Sequence, residues 1–162
     1  MQNRIGYGID VHQLEVGASL TIGGVSIPFF KGSKGHSDGD VLFHALVDAI
    51  FGSLALGDIG QHFPSDDERW KNAKSRKFLN HAFKLMNEKG FSIENVDATI
   101  ILQDPKLTSH ILQMRKNLAD IFSTGLDQIS VKATTTDKMG FIGKGEGIAA
   151  TAVVLISDNN GS

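Results

Sequence analysis

The sequence predicts an α/β fold, an α+β sandwich, in which helices pack on one face of a sheet. Two patterns support this: short alternating segments typical of strands, and apolar residues at helical spacing between those segments. The chain has 162 residues, a length that fits one domain with a sizeable core. We therefore expect a single domain over residues 1–162.

The amino-terminal part is predicted to begin with strands. Residues 4–12 alternate as a strand does. The stretch LTIGGVSI at 20–27 places a Gly-Gly turn between two apolar runs, which is typical of a hairpin. Pro28 ends this hairpin.

Helical spacing begins after the hairpin. Apolar residues recur with helical period from Asp40 to Gly52 or Gly57, and again over residues 75–89. The remaining predicted elements are a strand at 96–102, a helix at 108–122 with a Thr or Ser cap, and closing strands at 128–136 and 148–157. Residues 157–162 are expected to form a frayed tail.

Composition limits the classes of partner. The net charge is −2 and charged residues make up 21% of the chain, so we expect neither a nucleic-acid nor a membrane partner. The basic run RWKNAKSRK is offset by the preceding DDE and is interpreted as a solvated helix entry. With no signal-like or membrane-spanning apolar run, a cytoplasmic protein is expected.

The absence of cysteine excludes disulfides, thiolate metal sites and a cysteine nucleophile, which leaves His, Asp and Glu as possible metal ligands. Asp10 and His12 are two residues apart on a predicted strand, so their side chains lie on one side of it. The other ligands of such a site could come from the loop before the first predicted helix, which carries His36, Asp38 and Asp40, or from His44 on that helix. Two imidazoles and one carboxylate would leave a fourth position open. The alternative is structural: Asp10 caps a turn, and Asp48 satisfies His44.

Two glycine- and threonine-rich stretches could bind anions. In KATTTDKMGF, the threonine hydroxyls and the backbone amides could surround a phosphate, and Asp137 could bind a hard cation. The alternative is a solvated strand end. GFIGKGEG offers bare backbone and Lys144, or else it is a tight turn. The histidines at 62, 81 and 110 have no ligand-spaced partners and are interpreted as structural.

Five motifs occur in one order along the chain: GYGIDVHQL, KGHSDGDVLFHAL, LGDIGQHFP, VDATIILQDPKL and KATTTDKMGFIGKGEGIA. Together they resemble the 2-C-methyl-D-erythritol 2,4-cyclodiphosphate synthases of the non-mevalonate isoprenoid pathway. The resemblance extends from about residue 4 to residue 156. Members of that family cyclise 4-diphosphocytidyl-2-C-methyl-D-erythritol 2-phosphate and release CMP.

The resemblance implies a two-metal site in a homotrimer. Zinc is expected on Asp10, His12 and His44, and Mg²⁺ or Mn²⁺ on Asp137. Family members carry three sites at the interfaces between subunits, so the partners expected here are two further copies of the chain and a small molecule linked to cytidine diphosphate.

The remaining site residues are also implied by the resemblance. Stabilisation of the transition state is expected from His36 and Thr135. Substrate phosphate contacts are expected from His36 and Ser37. The methylerythritol end is expected to meet Asp58, Ile59, Gly60, Phe63, Pro64, Ser65, Asp66 and Asp67. The cytidine pocket, which the family builds from the neighbouring subunit, is expected to use Leu102, Gln103, Asp104, Pro105, Lys106, Leu107, Thr108, Ala133, Thr134 and Thr135, with Thr136 as a further substrate contact.

The chain departs from the family pattern at several positions. Asp137 stands where Glu is usual, and Lys144 stands where Arg is common, which replaces a forked phosphate grip by a point charge. Phe141 and Lys144 would line the isoprenoid-diphosphate pocket that some members have on the three-fold axis. Ser65 and Thr108 also replace more typical pocket residues.

Two other functions are compatible with these ligands. A mononuclear zinc phosphohydrolase would use them to activate water. A non-catalytic nucleotide-binding trimer would keep zinc for structure and close the site with a fourth protein ligand, for which Asp38, Asp40 and Asp48 are the candidates.

Overall fold

The computed structural model describes residues 2–35 and 37–159. Within these residues, five strands form one sheet in the order β4-β1-β7-β5-β6, and a separate hairpin pairs β2 with β3. The strands are β1 (Asn3–Val16), β2 (Leu20–Ile22), β3 (Val25–Ile27), β4 (Lys31–Ser33), β5 (Phe91–Ile101), β6 (Ile129–Thr134) and β7 (Gly147–Asp158). The β5–β6 pair is parallel, and the other pairs are antiparallel.

The helices lie between the strands along the chain, as the sequence predicts. They are α1 (Val41–Ser53), α2 (Ile59–His62), α3 (Ser75–Glu88), α4 (Ile111–Phe122) and α5 (Gly140–Gly143), with a 3₁₀ turn at Leu126–Gln128. The mixed α/β class and the hairpin at 20–27 are therefore confirmed. No helix in the described part of the chain is long and apolar enough to cross a membrane.

The close approach of α1 to β1 depends on two glycines. A Cβ atom added at Gly6 would lie 1.8 Å from the carbonyl oxygen of Ala49, and one added at Gly8 would lie 1.9 Å from that of Ala45. These distances are far below van der Waals contact, so only glycine leaves room for the helix. The helix therefore rests on the strand backbone, next to the positions of Asp10 and His12.

The opposite face of β1 is apolar and exposed. Because side chains alternate along a strand, Ile5, Tyr7, Ile9 and Val11 point away from α1 and are 71%, 59%, 53% and 50% exposed. Val153 of β7, which pairs with Tyr7, extends this surface. The buried core lies on the other side of the sheet, between the strands and the long helices.

Several predicted boundaries were wrong. Helix α4 begins at Ile111 rather than 108, and its first flanking residue, His110, makes no side-chain capping bond, so the expected Thr or Ser cap is absent there. Strand β5 begins at Phe91 rather than 96. A register shift between Ile93 and Asn95 interrupts its pairing with β7, which hides the alternation in the sequence.

The predicted frayed tail also needs correction at its start. Ser157 and Asp158 belong to β7, where they pair with β5, and Ser157 is buried. Residues 160–162 lie outside the described residues, and the prediction for them stays untested.

Candidate active site

Strand β1 and helix α1 bring three potential metal ligands together. Asp10 and His12 share one side of β1, and His44 lies in the first turn of α1. Asp10 Oδ2 is 2.6 Å from His12 Nε2 and 3.2 Å from His44 Nδ1, and the two nitrogens are 3.3 Å apart. The structure therefore places the three predicted zinc ligands in one cluster.

The cluster fits a small tetrahedral ion. Ligands held about 2.0–2.1 Å from such an ion lie about 3.3–3.4 Å from one another, and the two longer separations, 3.2 and 3.3 Å, come close to this spacing. Asp10 Oδ2 is buried and has no well-oriented hydrogen bond from any described residue. A cation would satisfy this oxygen, and two imidazoles with one carboxylate suit zinc.

The ionisation of the cluster also favours a cation. Burial raises the pKa of Asp10, but contact with His12 and His44 outweighs it, so the net pKa of this carboxyl is lowered. Contact with Asp10 raises the pKa of His12, although burial opposes the shift. The carboxylate is thus anionic, and protons compete with a metal for His12.

The three aspartates considered as a fourth ligand are used elsewhere. Asp40 is fully buried, caps α1 through Phe43 N, and accepts the amides of Gly23 and Gly24 at 2.9 and 2.8 Å. Burial, only partly offset by these amides, raises the pKa of Asp40 to about 6. Asp40 therefore joins the hairpin to α1 and lies outside the metal cluster.

The other two aspartates, Asp48 and Asp38, have hydrogen-bond partners in α2 and α3. Asp48 accepts the amide of Ile59 at 2.7 Å, and Asp38 is hydrogen bonded to Ser75. Among the described residues, the metal-binding group contains only Asp10, His12 and His44. These residues therefore leave the fourth position of a tetrahedral ion open. The alternative pairing of His44 with Asp48 is not observed.

A cavity of about 510 Å³ adjoins the cluster and has His44 in its wall. Of the residues predicted to contact the substrate phosphate and the methylerythritol end, six line it: Ser37, Ile59, Gly60, Phe63, Pro64 and Ser65. His36, the predicted transition-state residue next to Ser37, lies outside the described residues.

Part of the wall of this cavity is aromatic, and sequence reasoning missed some of it. The rings of Trp70 and Phe78 lie 4.6 and 4.7 Å from the ring of Phe63, and all three line the cavity together with Lys71 and Asn72. The interpretation of RWKNAKSRK as a solvated helix entry was therefore wrong for Trp70. The signal in the sequence that could have indicated this role was a single tryptophan within a run of charged residues.

The three aspartates predicted to contact the methylerythritol end have other roles or are exposed. Asp58 caps α2 by accepting the amide of Gln61 at 2.9 Å. The Arg69 guanidinium donates to Asp67 at 2.6 Å and lowers the pKa of that half-buried carboxyl. Asp66 is exposed. None of these aspartates is among the described residues that line the cavity, so their substrate contacts stay predictions.

A second cavity collects the residues predicted for cytidine. It has a volume of about 310 Å³ and is lined by Leu102, Gln103, Pro105, Lys106, Leu107, Thr108, Ala133, Thr134 and Thr135. Asp104 instead lines a neighbouring cavity of about 490 Å³. The cytidine cavity and the cavity beside the metal cluster share none of their described lining residues.

The predicted site of the second metal is an exposed turn next to the cytidine cavity. Asp137 has a left-handed backbone (φ 51°), and its amide donates to Thr135 Oγ1 at 3.2 Å. The amide of Lys138 donates to Gln103 Oε1 at 2.9 Å, which ties the turn to the cavity wall. Thr136 Oγ1 donates to the carbonyl of Met139 at 2.7 Å.

Phe141 and Lys144 line different cavities. Phe141 shares one of about 370 Å³ with Val11 and His12, whereas Lys144 lines the 490 Å³ cavity with Asp104. The pocket expected on the three-fold axis would be built by several subunits, and it stays a prediction.

Comparison with known proteins decides the family. A model of the YgbB family matches residues 3–157, a range that contains the metal cluster and both cavities. The chain belongs to the YgbB family. The resemblance inferred from the five motifs is thereby confirmed.

Two relatives of the chain share one name. The 2-C-methyl-D-erythritol 2,4-cyclodiphosphate synthase of Geobacter metallireducens is 56% identical over 153 residues, which cover 94% of this chain and 98% of that protein. The protein of the same name from Acinetobacter baumannii (strain SDF) is 53% identical over 156 residues, with coverages of 96% and 98%. The structure of Plasmodium falciparum IspF in complex with CDP has a TM-score of 0.86 and 37% identity, covering 98% of this chain and 97% of that one.

Proposed function

We propose that this protein is a zinc-dependent cyclodiphosphate synthase of the non-mevalonate isoprenoid pathway. It converts 4-diphosphocytidyl-2-C-methyl-D-erythritol 2-phosphate to 2-C-methyl-D-erythritol 2,4-cyclodiphosphate and releases CMP. The observation that carries the proposal is the convergence of Asp10, His12 and His44 at the wall of a large cavity. Membership of the YgbB family, with relatives named for this reaction, supports it.

The reaction needs no protein nucleophile. An oxygen of the substrate's own 2-phosphate attacks the β-phosphorus, and the bond from that phosphorus to the oxygen shared with the α-phosphate breaks. CMP leaves with that oxygen, and no water is consumed. Because the attacking group is already an anion, the work of the protein is positioning and charge neutralisation.

The two cavities suit the two ends of the substrate. The aromatic wall of Phe63, Trp70 and Phe78 offers apolar contact to the branched carbon chain. Ser37, which also lines this cavity, offers a hydroxyl to a phosphate. At the other end, Thr135 lines the cytidine cavity and accepts the amide of Asp137, and its hydroxyl can donate to the developing charge.

The metal ions would act as Lewis acids on phosphate oxygens. Asp10, His12 and His44 would hold zinc, and Asp137 would hold Mg²⁺ or Mn²⁺. Since aspartate is one methylene shorter than glutamate, Asp137 would bind its ion closer to the turn or through water. The engagement of Asp38, Asp40 and Asp48 elsewhere argues against a structural zinc closed by one of them.

We further propose a homotrimer with each site shared by two subunits. The exposed apolar face of β1, with Ile5, Tyr7 and Ile9, is the kind of surface that a partner copy would cover. A site shared between subunits also accounts for a metal cavity and a cytidine cavity without common residues in one chain. Sedimentation should give three chains, and Ile9→Lys should dissociate them; a monomeric wild-type protein would refute this assembly.

The expected cytoplasmic location stays a prediction.

The proposed reaction can be tested against hydrolysis by isotope labelling. The purified protein is incubated with the substrate, zinc and Mg²⁺ in water enriched in ¹⁸O, and the products are analysed by mass spectrometry. Cyclisation gives CMP and a cyclic diphosphate that are both free of label. An open-chain product carrying ¹⁸O would instead identify a phosphohydrolase.

A further inference from the structure

A line of hydrogen bonds runs behind the metal cluster, from His44 through Ser75 to Asp38. His44 presents Nδ1 to Asp10, while its other ring nitrogen, Nε2, lies 2.8 Å from Ser75 Oγ. Ser75 Oγ is in turn hydrogen bonded to Asp38 Oδ1. The three residues belong to α1, to the first turn of α3 and to the loop before α1.

The direction of these bonds follows from what each group can donate. A carboxylate only accepts, so the Ser75 hydroxyl donates its one proton to Asp38. The lone pairs of Ser75 Oγ then accept from His44 Nε2–H. Because a neutral imidazole carries a single N–H, Nδ1 is left with its lone pair directed at the cluster.

Ser75 is well suited to fix this arrangement. It is fully buried, at 0% exposure. Its amide donates to both carboxylate oxygens of Asp38, at 3.2 and 3.3 Å, in addition to the bond from its hydroxyl. Asp38 also accepts the amide of Asp40 at 3.4 Å. Neither Ser75 nor Asp38 is therefore able to rotate without breaking other bonds.

We propose that Ser75 and Asp38 are positioning residues, which hold His44 in the tautomer and ring orientation that a metal ion requires. The proposal rests on the zinc site assigned under the proposed function. Partners of this kind on the second nitrogen of a metal-bound histidine typically change metal affinity by about 10–100-fold. Their role is exerted through His44, since neither residue belongs to the metal cluster.

The competing explanation is that Asp38 only caps α3. That helix has no side-chain cap from Lys74, and the bonds from the Ser75 amide to Asp38 would serve this purpose. The replacement Ser75→Ala separates the two roles, because it keeps the amide bonds and removes only Oγ. A capping role leaves zinc affinity unchanged in this variant, and a positioning role does not.

Zinc affinity is measured by competition with a chromophoric chelator for the wild-type protein, Ser75→Ala and a control, Ser53→Ala. Ser53 is also buried, and its hydroxyl donates to the carbonyl of Ile50 at 2.7 Å within α1, away from the cluster. We expect Ser75→Ala to bind zinc about 10–100-fold more weakly and Ser53→Ala to match the wild type. Equal affinities for Ser75→Ala and Ser53→Ala would overturn the proposal.

A second measurement needs no variant. The ¹⁵N chemical shifts of the His44 ring in zinc-free wild-type protein report which nitrogen carries the proton. We expect Nε2 to carry a proton; a protonated Nδ1 with a bare Nε2 would overturn the proposal even if Ser75→Ala fails to fold. Wild-type protein that binds no zinc would refute the proposed function itself, whereas tight wild-type binding with unchanged affinity in Ser75→Ala would refute only the role of Ser75 and Asp38.

Discussion

Replacing Gly8 by alanine tests whether the close contact between α1 and β1 builds the metal site. The new Cβ would lie 1.9 Å from the carbonyl oxygen of Ala45, the residue that follows His44. To restore an ordinary contact of 3.4 Å, the helix backbone would have to retreat by about 1.5 Å. The separations of 3.2 and 3.3 Å that join His44 to the cluster would then no longer hold.

The expected cost has two parts. Overpacking against backbone, which has no rotamer to change, should lower the free energy of unfolding by about 3 kcal/mol. Displacement of His44 should weaken zinc binding by at least about tenfold, since a metal site tolerates only about 0.5 Å of misplacement. Urea unfolding of zinc-free protein at matched protein concentration measures the first effect, and chelator competition measures the second.

Gly52→Ala is the matched control on the same helix. A Cβ atom there would lie 3.8 Å from the carbonyl oxygen of Tyr7, which is ordinary contact. Alanine in a helix should stabilise the protein by up to about 1 kcal/mol and leave zinc affinity unchanged. If Gly8→Ala behaved like Gly52→Ala in both assays, the argument that glycine at this position sets the geometry of the site would be refuted.

Four further predictions concern the metal ions and the reaction. His44→Ala should lose both zinc and activity while sedimentation still shows the wild-type assembly; one equivalent of zinc retained per chain would contradict its assignment. Asp137→Ala should raise the Mg²⁺ requirement more than the zinc requirement in titrations of activity, and equal shifts would place the second ion elsewhere. Thr135→Ala should reduce turnover more than substrate affinity, so a rise in KM alone would make this residue a ground-state contact. Because contact with Asp10 raises the pKa of His12 above its usual 6.5, zinc affinity should fall as pH is lowered through that raised value; an affinity independent of pH between about 8 and 6 would contradict this coupling.

The elements with strong local patterns could be predicted from the sequence. Helix α3 begins at Ser75 as expected, because its apolar residues keep a helical period. Strand β4, at Lys31–Ser33, was missed because three residues with one glycine carry no alternation of their own. It exists because β1 continues to Val16 and offers it an edge.

The metal cluster shows the same division between local and tertiary information. The spacing of Asp10 and His12 placed them on one side of a strand, and the resemblance supplied His44. The partner of His44 could not be found from spacing: Asp48, one turn along the helix, was the local candidate, whereas the structure uses Ser75 from another helix. Likewise, Trp70 looked solvated in its charged run, but its ring packs against Phe63 and Phe78, which lie outside that run.

The most direct test of the account is phosphorus NMR of the protein with its proposed substrate and Mg²⁺, before zinc is removed, after it is removed, and after it is restored. The account predicts the resonances of CMP and of a cyclic diphosphate in the first and third samples, and unchanged substrate in the second. Formation of the cyclic product at an undiminished rate after complete removal of zinc would contradict the role assigned to Asp10, His12 and His44.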